Sequence, residues 1–352
     1  NKMPILSSMN AQTPNNVVDL SSSFHLIPSP NYLLQNLKLF SFDPSTTRST
    51  SLDYLVETNN YVDRETTRYG TDQNTTILSR MTNYEVEIPH FYRQDEVTPE
   101  AFQSRRRFGS SAELDANSVV ISYLEAHSIA YHATRERLLA KALFKNTVDA
   151  TNTRNPNINW EDTFGSQQQV DTVDLANAST DVPQFLDSVM VKLRSALGSL
   201  AVSQTDTLVF CGSSFYSKIR FHPSVKELYT FTSAADNGNN IITNYREAGN
   251  MPGISMFRFM DMTFIRVPDD SVYSVGADEA FFVPKFSELA NPFRAIYGPA
   301  SRHMDVAQMT PQEVFSYQTY DQMKMVSIHN EYSLLPVSQL PSVVVKITNT
   351  TA

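Results

Sequence analysis

Cys211-Gly212-Ser213-Ser214 follows the apolar run Thr207-Leu208-Val209-Phe210, which is where a nucleophile at a strand end would stand. A thiol or hydroxyl there attacks an acyl carbon only if a base lies beside it, and the exposing turn normally has the form Gly-x-Ser-x-Gly. This stretch has neither that form nor companion His and Asp residues readable from spacing, so a small buried thiol closing a strand is the better reading. His127 and His132 are five positions apart, on different faces of a helix, unlike the i, i+4 pair that grips a metal. His90, His222 and His303 have no cysteine or carboxylate at ligand spacing. Asp269-Asp270 and Asp278-Glu279 are acidic pairs in turn-like settings whose spacing matches no calcium loop, and they read as solvated charge. The 352 residues include only 10 glycines, with no Gly-x-Gly-x-x-Gly or Gly-x-x-x-x-Gly-Lys run, so loops that cradle nucleotide phosphates are not expected. No catalytic residue, metal or cofactor is predicted.

Charge points the same way. A net charge of -9 argues against gripping nucleic acid by neutralising phosphates. Charged residues make up 18%, below the ~25% usual for soluble domains, which leaves a surface rich in Asn, Ser, Thr and Gln. A single cysteine rules out an internal disulfide and fits a reducing compartment. No apolar run approaches the ~18 residues of a membrane span. The chain opens Asn-Lys-Met-Pro: a first residue other than Met points to trimming, proteolytic maturation or an incomplete chain, and with no basic-then-apolar segment no secretory signal is in view.

Between Lys38 and Lys141 all positive charge is arginine: Arg48, Arg64, Arg68, Arg80, Arg93, Arg105, Arg106, Arg107, Arg135 and Arg137. Arginine's planar fork holds carboxylates bidentately, and interfaces favour it over lysine. Asp63, Glu65, Asp72, Glu85, Glu87, Asp95 and Glu96 offer partners. Arg64, Glu65, Arg68, Arg80, Glu85 and Glu87 are therefore candidate inter-subunit contacts, against the alternative of an ordinary solvated hairpin. Arg105-Arg106-Arg107, the one basic cluster, fits either an inter-subunit salt-bridge patch or a DNA contact.

The elements that would position these residues follow from pattern. Residues 1–45 carry Pro14, Pro28, Pro30 and Pro44; both an extended arm with one docking turn at 32–40 and a disordered leader fit them. From 46 to 100 the period is two: Leu52, Tyr54 and Val56, then Tyr84, Val86 and Ile88, predict a long projecting hairpin. An isolated hairpin is marginal in water, so this one needs a partner to lie on. Glu113 to Asn146 holds no proline or glycine and predicts a spine helix over about 111–146, ~50 Å long. Ser110 and Glu113 have capping-box spacing, and Val120, Leu124, Tyr131, Leu138 and Ala142 form its apolar stripe. A second helix starts at Asp181 with Pro183 in its first turn, burying Leu186, Met190, Leu193, Leu197 and Leu200. Residues 207–211 read as a buried strand followed by a helix running to Tyr229; 233–253 is the strongest loop signal. Strands are predicted at 263–267, 280–283, 294–297, 317, 323–329 and 343–347.

This order resembles the major capsid protein of lambda-type tailed phages, the major capsid protein E family. The resemblance is clearest at Leu208–Ile219 with His222–Leu228, at Ala277–Pro284, at Arg294–Ala300, at Met323–Ile328 and at Leu334-Leu335-Pro336, and it covers about 32–347. It implies an α+β, HK-97-type capsid fold: an N-terminal arm (1–45), an extended loop (46–100), a peripheral domain with the spine helix (101–180), an axial domain (181–314) and C-terminal strands returning to the peripheral domain (315–352). It implies a virion structural protein, assembled in the host cytoplasm as hexamers and pentamers of an icosahedral head around double-stranded DNA, with a decoration or scaffold protein as further partners and no membrane. Some relatives weld subunits through a lysine in the extended loop; this loop has none, so that bond is not expected. On the residues alone a soluble hydrolase using Cys211 or a carboxylate pair, and a β-rich surface or receptor-binding protein, stay open.

Overall fold

Asp115 begins the longest element. Its backbone is extended and its carboxylate accepts the Ser118 N–H at 2.7 Å, satisfying one amide that the first helical turn leaves unpaired. The computed structural model describes residues 17–56, 80–103, 115–227, 254–268, 272–287, 291–320 and 325–350. In chain order the N-terminal arm comprises β1 (Val17–Asp19), α1 (Ser21–His25), α2 (Leu33–Leu37) and β2 (Ser41–Pro44). A hairpin of β3 (Ser49–Val56) and β4 (Arg80–Glu87) follows, then β5 (His90–Val97), α3 (Pro99–Phe102) and the spine helix α4 (Ala116–Phe144). Next come β6 (Thr147–Val148), β7 (Ile158–Asn159), α5 (Trp160–Phe164), β8 (Gln169–Val173) and α6 (Val182–Leu197). β9 (Gln204–Cys211), α7 (Ser213–Phe221), β10 (Met256–Phe259), β11 (Met262–Arg266) and β12 (Glu279–Phe286) continue the chain. It ends with β13 (Phe293–Tyr297), α8 (Met304–Ala307), β14 (Phe315–Tyr320), β15 (Val326–Ser338) and β16 (Val345–Asn349).

Two six-stranded sheets organise these elements. One runs β1-β14-β15-β13-β2, with β5 also paired to β15; the other runs β10-β11-β9-β12-β16-β8. Both are mixed, with β2/β13, β9/β11 and β8/β16 parallel. The spine joins them. Tyr131 meets Tyr332 of β15 edge-on at 4.8 Å, whereas Phe144 lies between Phe210 of β9 (5.4 Å) and Phe281 of β12 (4.9 Å). Leu138, Leu139, Ala140, Ala142, Leu143 and Phe144 are all buried, so the last turns are apolar nearly all round, as for a helix enclosed by the core.

Several expectations change. The spine is 29 residues, about 44 Å, because Asp115 caps it at Ala116; Ser110 and Glu113 lie outside the described residues. Residues 17–44 of the arm are sewn into the first sheet through β1 on β14 and β2 on β13. The hairpin ends at Glu87, since Pro89 carries no amide hydrogen and separates it from β5, which pairs with β15 from His90↔Ser333 to Val97↔Val326. The expected division at 181 and 314 does not follow the sheets. β13, expected in the 181–314 unit, pairs with β15 and β2, while β8 and β16, expected outside it, complete the sheet of β9 to β12. β16 covers the flank of β12 through Ala280↔Ile347 and Phe282↔Val345, an edge that would otherwise expose apolar strand. The helix after Cys211 breaks at His222, because Pro223 drives that residue into extended backbone, and helical structure resumes over 223–227. The predicted 233–253 loop is outside the described residues.

α6 forms as its sequence predicts. Asp181 accepts the Gln184 N–H at 3.1 Å, Pro183 occupies the first turn, and Leu186, Leu193 and Leu197 are buried, with Val182 and Val189 completing the face instead of Met190.

Candidate assembly surfaces

The hairpin root is held by its own chain. Leu52 and Val86 point inward onto a satellite core of Val148, Ile158, Trp160, Phe164, Ile296, Leu335 and Val337. Tyr84 meets Phe164 edge-on at 5.9 Å, and Trp160 stacks on Phe164 at 5.6 Å. α5 places those two rings: Asn159 accepts the Glu161 N–H at 3.0 Å to start it, and Gly165, at φ +64°, ends it in the left-handed conformation. The opposite face of the hairpin is polar. Ser49 Oγ donates to Glu85 at 2.8 Å, and Ser51 Oγ donates to the Asn83 side-chain oxygen at 2.7 Å; Ser51, Asn83 and Glu85 are exposed and Ser49 is half-buried.

Among the charged residues predicted at an interface, Arg64, Glu65, Arg68, Arg105, Arg106 and Arg107 lie outside the described residues. Arg80 opens β4 opposite Val56. Glu85 is on the polar outer face. Glu87 is turned to its own chain: one oxygen pairs with Arg48 Nε at 3.2 Å, and the other accepts the Arg154 N–H at 2.9 Å. That carboxylate ties the hairpin root to the loop after β6.

The candidate chemical groups are dispersed. Cys211 is fully buried, and burial pushes its thiol well above the usual range, so no thiolate forms there near neutral pH. Gly212 allows the strand end to approach the loop before β12; a Cβ would lie 2.0 Å from the Gly276 carbonyl oxygen. His127 Nε2 bonds Asp95 at 2.6 Å, joining the spine to β5, and His132 Nδ1 meets the Gln35 side-chain oxygen at 2.8 Å. The two rings face different elements, as their spacing predicts. His222 contacts Ser224 Oγ and the Asn177 carbonyl, and His303 caps α8 by accepting the Asp305 N–H at 3.2 Å. Among the described residues no group of three or more His, Cys, Asp or Glu side chains is placed to hold a metal ion, and no helix is long and apolar enough to cross a membrane. Asp269 and Asp270 lie outside the described residues.

Asp278 and Glu279 are not the solvated turn charge their sequence setting predicts. They are junction residues, not loose charge: Asp278 takes Ser214 Oγ at 2.7 Å, Lys218 at 2.9 Å and the Asn349 side-chain amide at 3.3 Å, while Glu279 pairs with Lys346 at 2.6 Å. Hydrogen bonds from Ser214 and Lys218 hold the Asp278 carboxyl below its usual range. Glu279 is also lowered: burial opposes this, but Lys346 and the Gly276 amide prevail.

Three further charged residues carry no sequence signal of their roles. Arg135 is 7% exposed; it pairs with Glu313 at 2.9 Å and lies 4.6 Å over the Phe42 ring of β2. Glu136, 0% exposed, accepts the Leu34 N–H at 2.6 Å and the Gln35 N–H at 3.2 Å. Glu331 accepts the Ser301 N–H at 2.6 Å and the Arg302 N–H at 3.2 Å, fixing the turn after β13. Each is a polar group buried with its partners, as burial requires, and each binds one element to another. The described residues are organised around contacts between distant segments, with a hairpin whose root packs on a satellite core and whose other face is polar.

Comparison with known proteins agrees with that architecture. The profile of the phage major capsid protein E family matches residues 16–349. The chain is similar to the major capsid protein of Pseudomonas phage KPP10, 24% identical over 345 residues that cover 93% of this chain and 95% of the other. It is 23% identical over 358 residues to the major capsid protein of Salmonella phage Felix O1, covering 94% and 95%. In three dimensions it resembles the capsid of Ralstonia phage GP4 (TM-score 0.51, 11% identity, 92% of this chain and 93% of that one) and the capsid asymmetric unit of cyanophage A-1(L) (TM-score 0.50, 12% identity, 93% and 98%). These likenesses show the fold, an α+β architecture of the HK-97 capsid type. Because the profile runs from the first described strand through the last, the chain belongs to the phage major capsid protein E family, structural proteins of the tailed-phage capsid.

Proposed function

We propose that this chain tiles an icosahedral head as hexamers and pentamers, enclosing double-stranded DNA and assembling in the host cytoplasm. The observation that carries this reading is the hairpin root: it packs on the Trp160 core on one face, while its other face presents Ser51, Asn83 and Glu85. Arg64, Glu65, Arg68 and Arg80, with Glu85 and the Arg105–Arg107 cluster, are the residues we assign to the neighbouring copy; Glu87 serves the root. The sheet of β9 to β12 with β16 and β8 is the body we assign to the capsomer axis, and the β15 sheet with the spine is the body we assign to the periphery. A decoration or scaffold protein completes the set of partners. The net charge of -9 suits a wall along which DNA slides without sticking. The role is structural and not enzymatic, in keeping with a thiol that is buried and protonated.

Charge reversal tests the hairpin's part. R64E combined with R68E is expected to cut the yield of closed shells while leaving the melting temperature of the unassembled chain within about 1 °C, the outcome for charges whose partners lie on another copy. Undiminished shell yield removes the hairpin arginines from the interface.

A further inference from the structure

Two buried polar atoms beside the spine have no hydrogen-bond partner among the described residues: Nδ1 of His127 and the side-chain oxygen of Asn330. Their residues are 0% and 2% exposed. Buried polar atoms are ordinarily paired, so two orphans call for a cause. Both residues line one cleft of about 290 Å³, His127 belonging to α4 and Asn330 to β15. Much of the remaining wall is aromatic. Phe91 stacks on Tyr332 at 5.1 Å, Tyr131 meets Tyr332 edge-on at 4.8 Å, and Tyr92 lines the cleft with them.

The cleft offers acceptors. His127 Nε2 meets a carboxylate oxygen of Asp95 at 2.6 Å, and a carboxylate only accepts, so the ring hydrogen sits on Nε2 and the neutral ring presents a lone pair at Nδ1. Of the lining hydroxyls, Thr134 donates to the Ala130 carbonyl at 2.8 Å, and that of Tyr92 is engaged with Gln94 and His329. We infer that the cleft binds a guanidinium group. Its planar fork carries five N–H donors, enough to serve Nδ1 and the Asn330 oxygen together, and it stacks on aromatic rings. It is less tightly hydrated than an ammonium, so exchanging water for an aromatic wall costs it less.

Two sources carry this chemistry: a free small cation, or an arginine of a second copy, since every cation between Lys38 and Lys141 is arginine. The second source rests on the assembly proposed above; the site itself does not. Arg93 opposes the ligand. It faces Asn330 in the β5–β15 register, lines the same cleft and is exposed, so it places a like charge at the entrance.

Titration of the unassembled full chain with ethylguanidinium, read by the imidazole nitrogen signals of isotope-labelled histidine, tests the site. The His127 signals are expected to shift saturably at roughly millimolar probe, the range for so small a ligand, while His222, held by Ser224 and Asn177, stays unmoved. Ethylurea, of similar shape without the charge, is expected to bind about tenfold more weakly. N330L is expected to abolish the shift. If N330L does not fold, A130L keeps the question measurable, because it fills the cleft from a half-buried helix position and leaves both acceptors unchanged. R93Q is expected to tighten binding about threefold by removing an exposed like charge. A His127 signal indifferent to ethylguanidinium, an equal response to ethylurea, a shift that survives A130L, or weaker binding in R93Q each overturns the inference. In a map of assembled shells, an arginine of the adjacent copy within hydrogen-bond distance of Asn330 names the second copy as the source; a cleft that no arginine reaches names the free cation. A chain that binds the probe without assembling contradicts the proposed function and leaves this site standing.

Discussion

The guanidinium of Arg135 lies 4.6 Å above the ring of Phe42, so a spine residue grips the arm strand β2 from beneath. Glu313 takes the same guanidinium at 2.9 Å, and the Tyr297 ring lies 5.9 Å away. One side chain thereby joins α4, β2, β13 and the loop before β14. Removing it leaves a cavity and strips Glu313 of its cation. R135A is expected to destabilise the chain by about 3–5 kcal/mol in urea unfolding, and R135M by less, because the stem still fills the space and the partly exposed Glu313 can hydrate. Equal losses for the two variants would show that charge alone matters.

Trp160 is fully buried beneath the hairpin root. W160A should cost about 3–5 kcal/mol, the range for deleting a large core aromatic. Exchange should rise in β3 and β4 before it rises in β9, because the satellite core carries the root. Uniform loosening across the chain would contradict that local role.

Gly212 touches backbone, which cannot rotate away. G212A places a methyl group 2.0 Å from the Gly276 oxygen and 2.6 Å from the Ala277 oxygen, so the loop before β12 must shift. A loss of about 1–3 kcal/mol or more is expected in thermal or urea unfolding. A melting temperature unchanged from wild type would mean the approach is looser than described.

Acid sensitivity follows from Asp278, Glu279 and Asp171, whose carboxyls are all held below their usual range, the first and last chiefly by hydrogen bonds from Ser214 and Lys192. Depressed folded values mean the stabilisation is complete above the ordinary carboxylate range, about 4, and drains as pH falls through the lowered values. D278N is expected to make stability less steep in pH below about 4, checked by urea midpoints at stepped pH. An unchanged acid limb would locate the sensitivity elsewhere.

Much of this fold was legible in sequence, for reasons that mark the limits of such reading. α6 announces itself through Asp181, Pro183 and a leucine every three or four positions, all local signals. The spine is readable from its lack of proline and glycine, but its start is not, because Ser110 and Asp115 both offer a capping side chain in sequence, and the helix begins after Asp115, whose carboxylate accepts the Ser118 N–H. The break at His222 is written in Pro223, which disfavours helical backbone at the residue before it, although the helical pattern on either side reads as one stretch. Pairings are not legible: β16 lies beside β8, from the middle of the chain, and nothing in Val345–Asn349 names that partner. Nor does a glutamate on a helix declare whether it faces water or, like Glu136, an arm 101 residues away in sequence.

The absence of lysine from 39 to 140 predicts shells held without covalent links through the hairpin. Boiled in denaturant, purified shells should run as a single species near 39.7 kDa. A ladder of multiples would show that subunits are welded by some other chemistry.

Electron microscopy of the purified full chain, alone and with a scaffold partner, tests the central claim most directly. Closed shells, or hexamers and pentamers, with hairpin density lying over the adjacent copy are the expected result. A chain that stays a folded monomer in both conditions, its hairpin tip folded against its own body, would contradict the account.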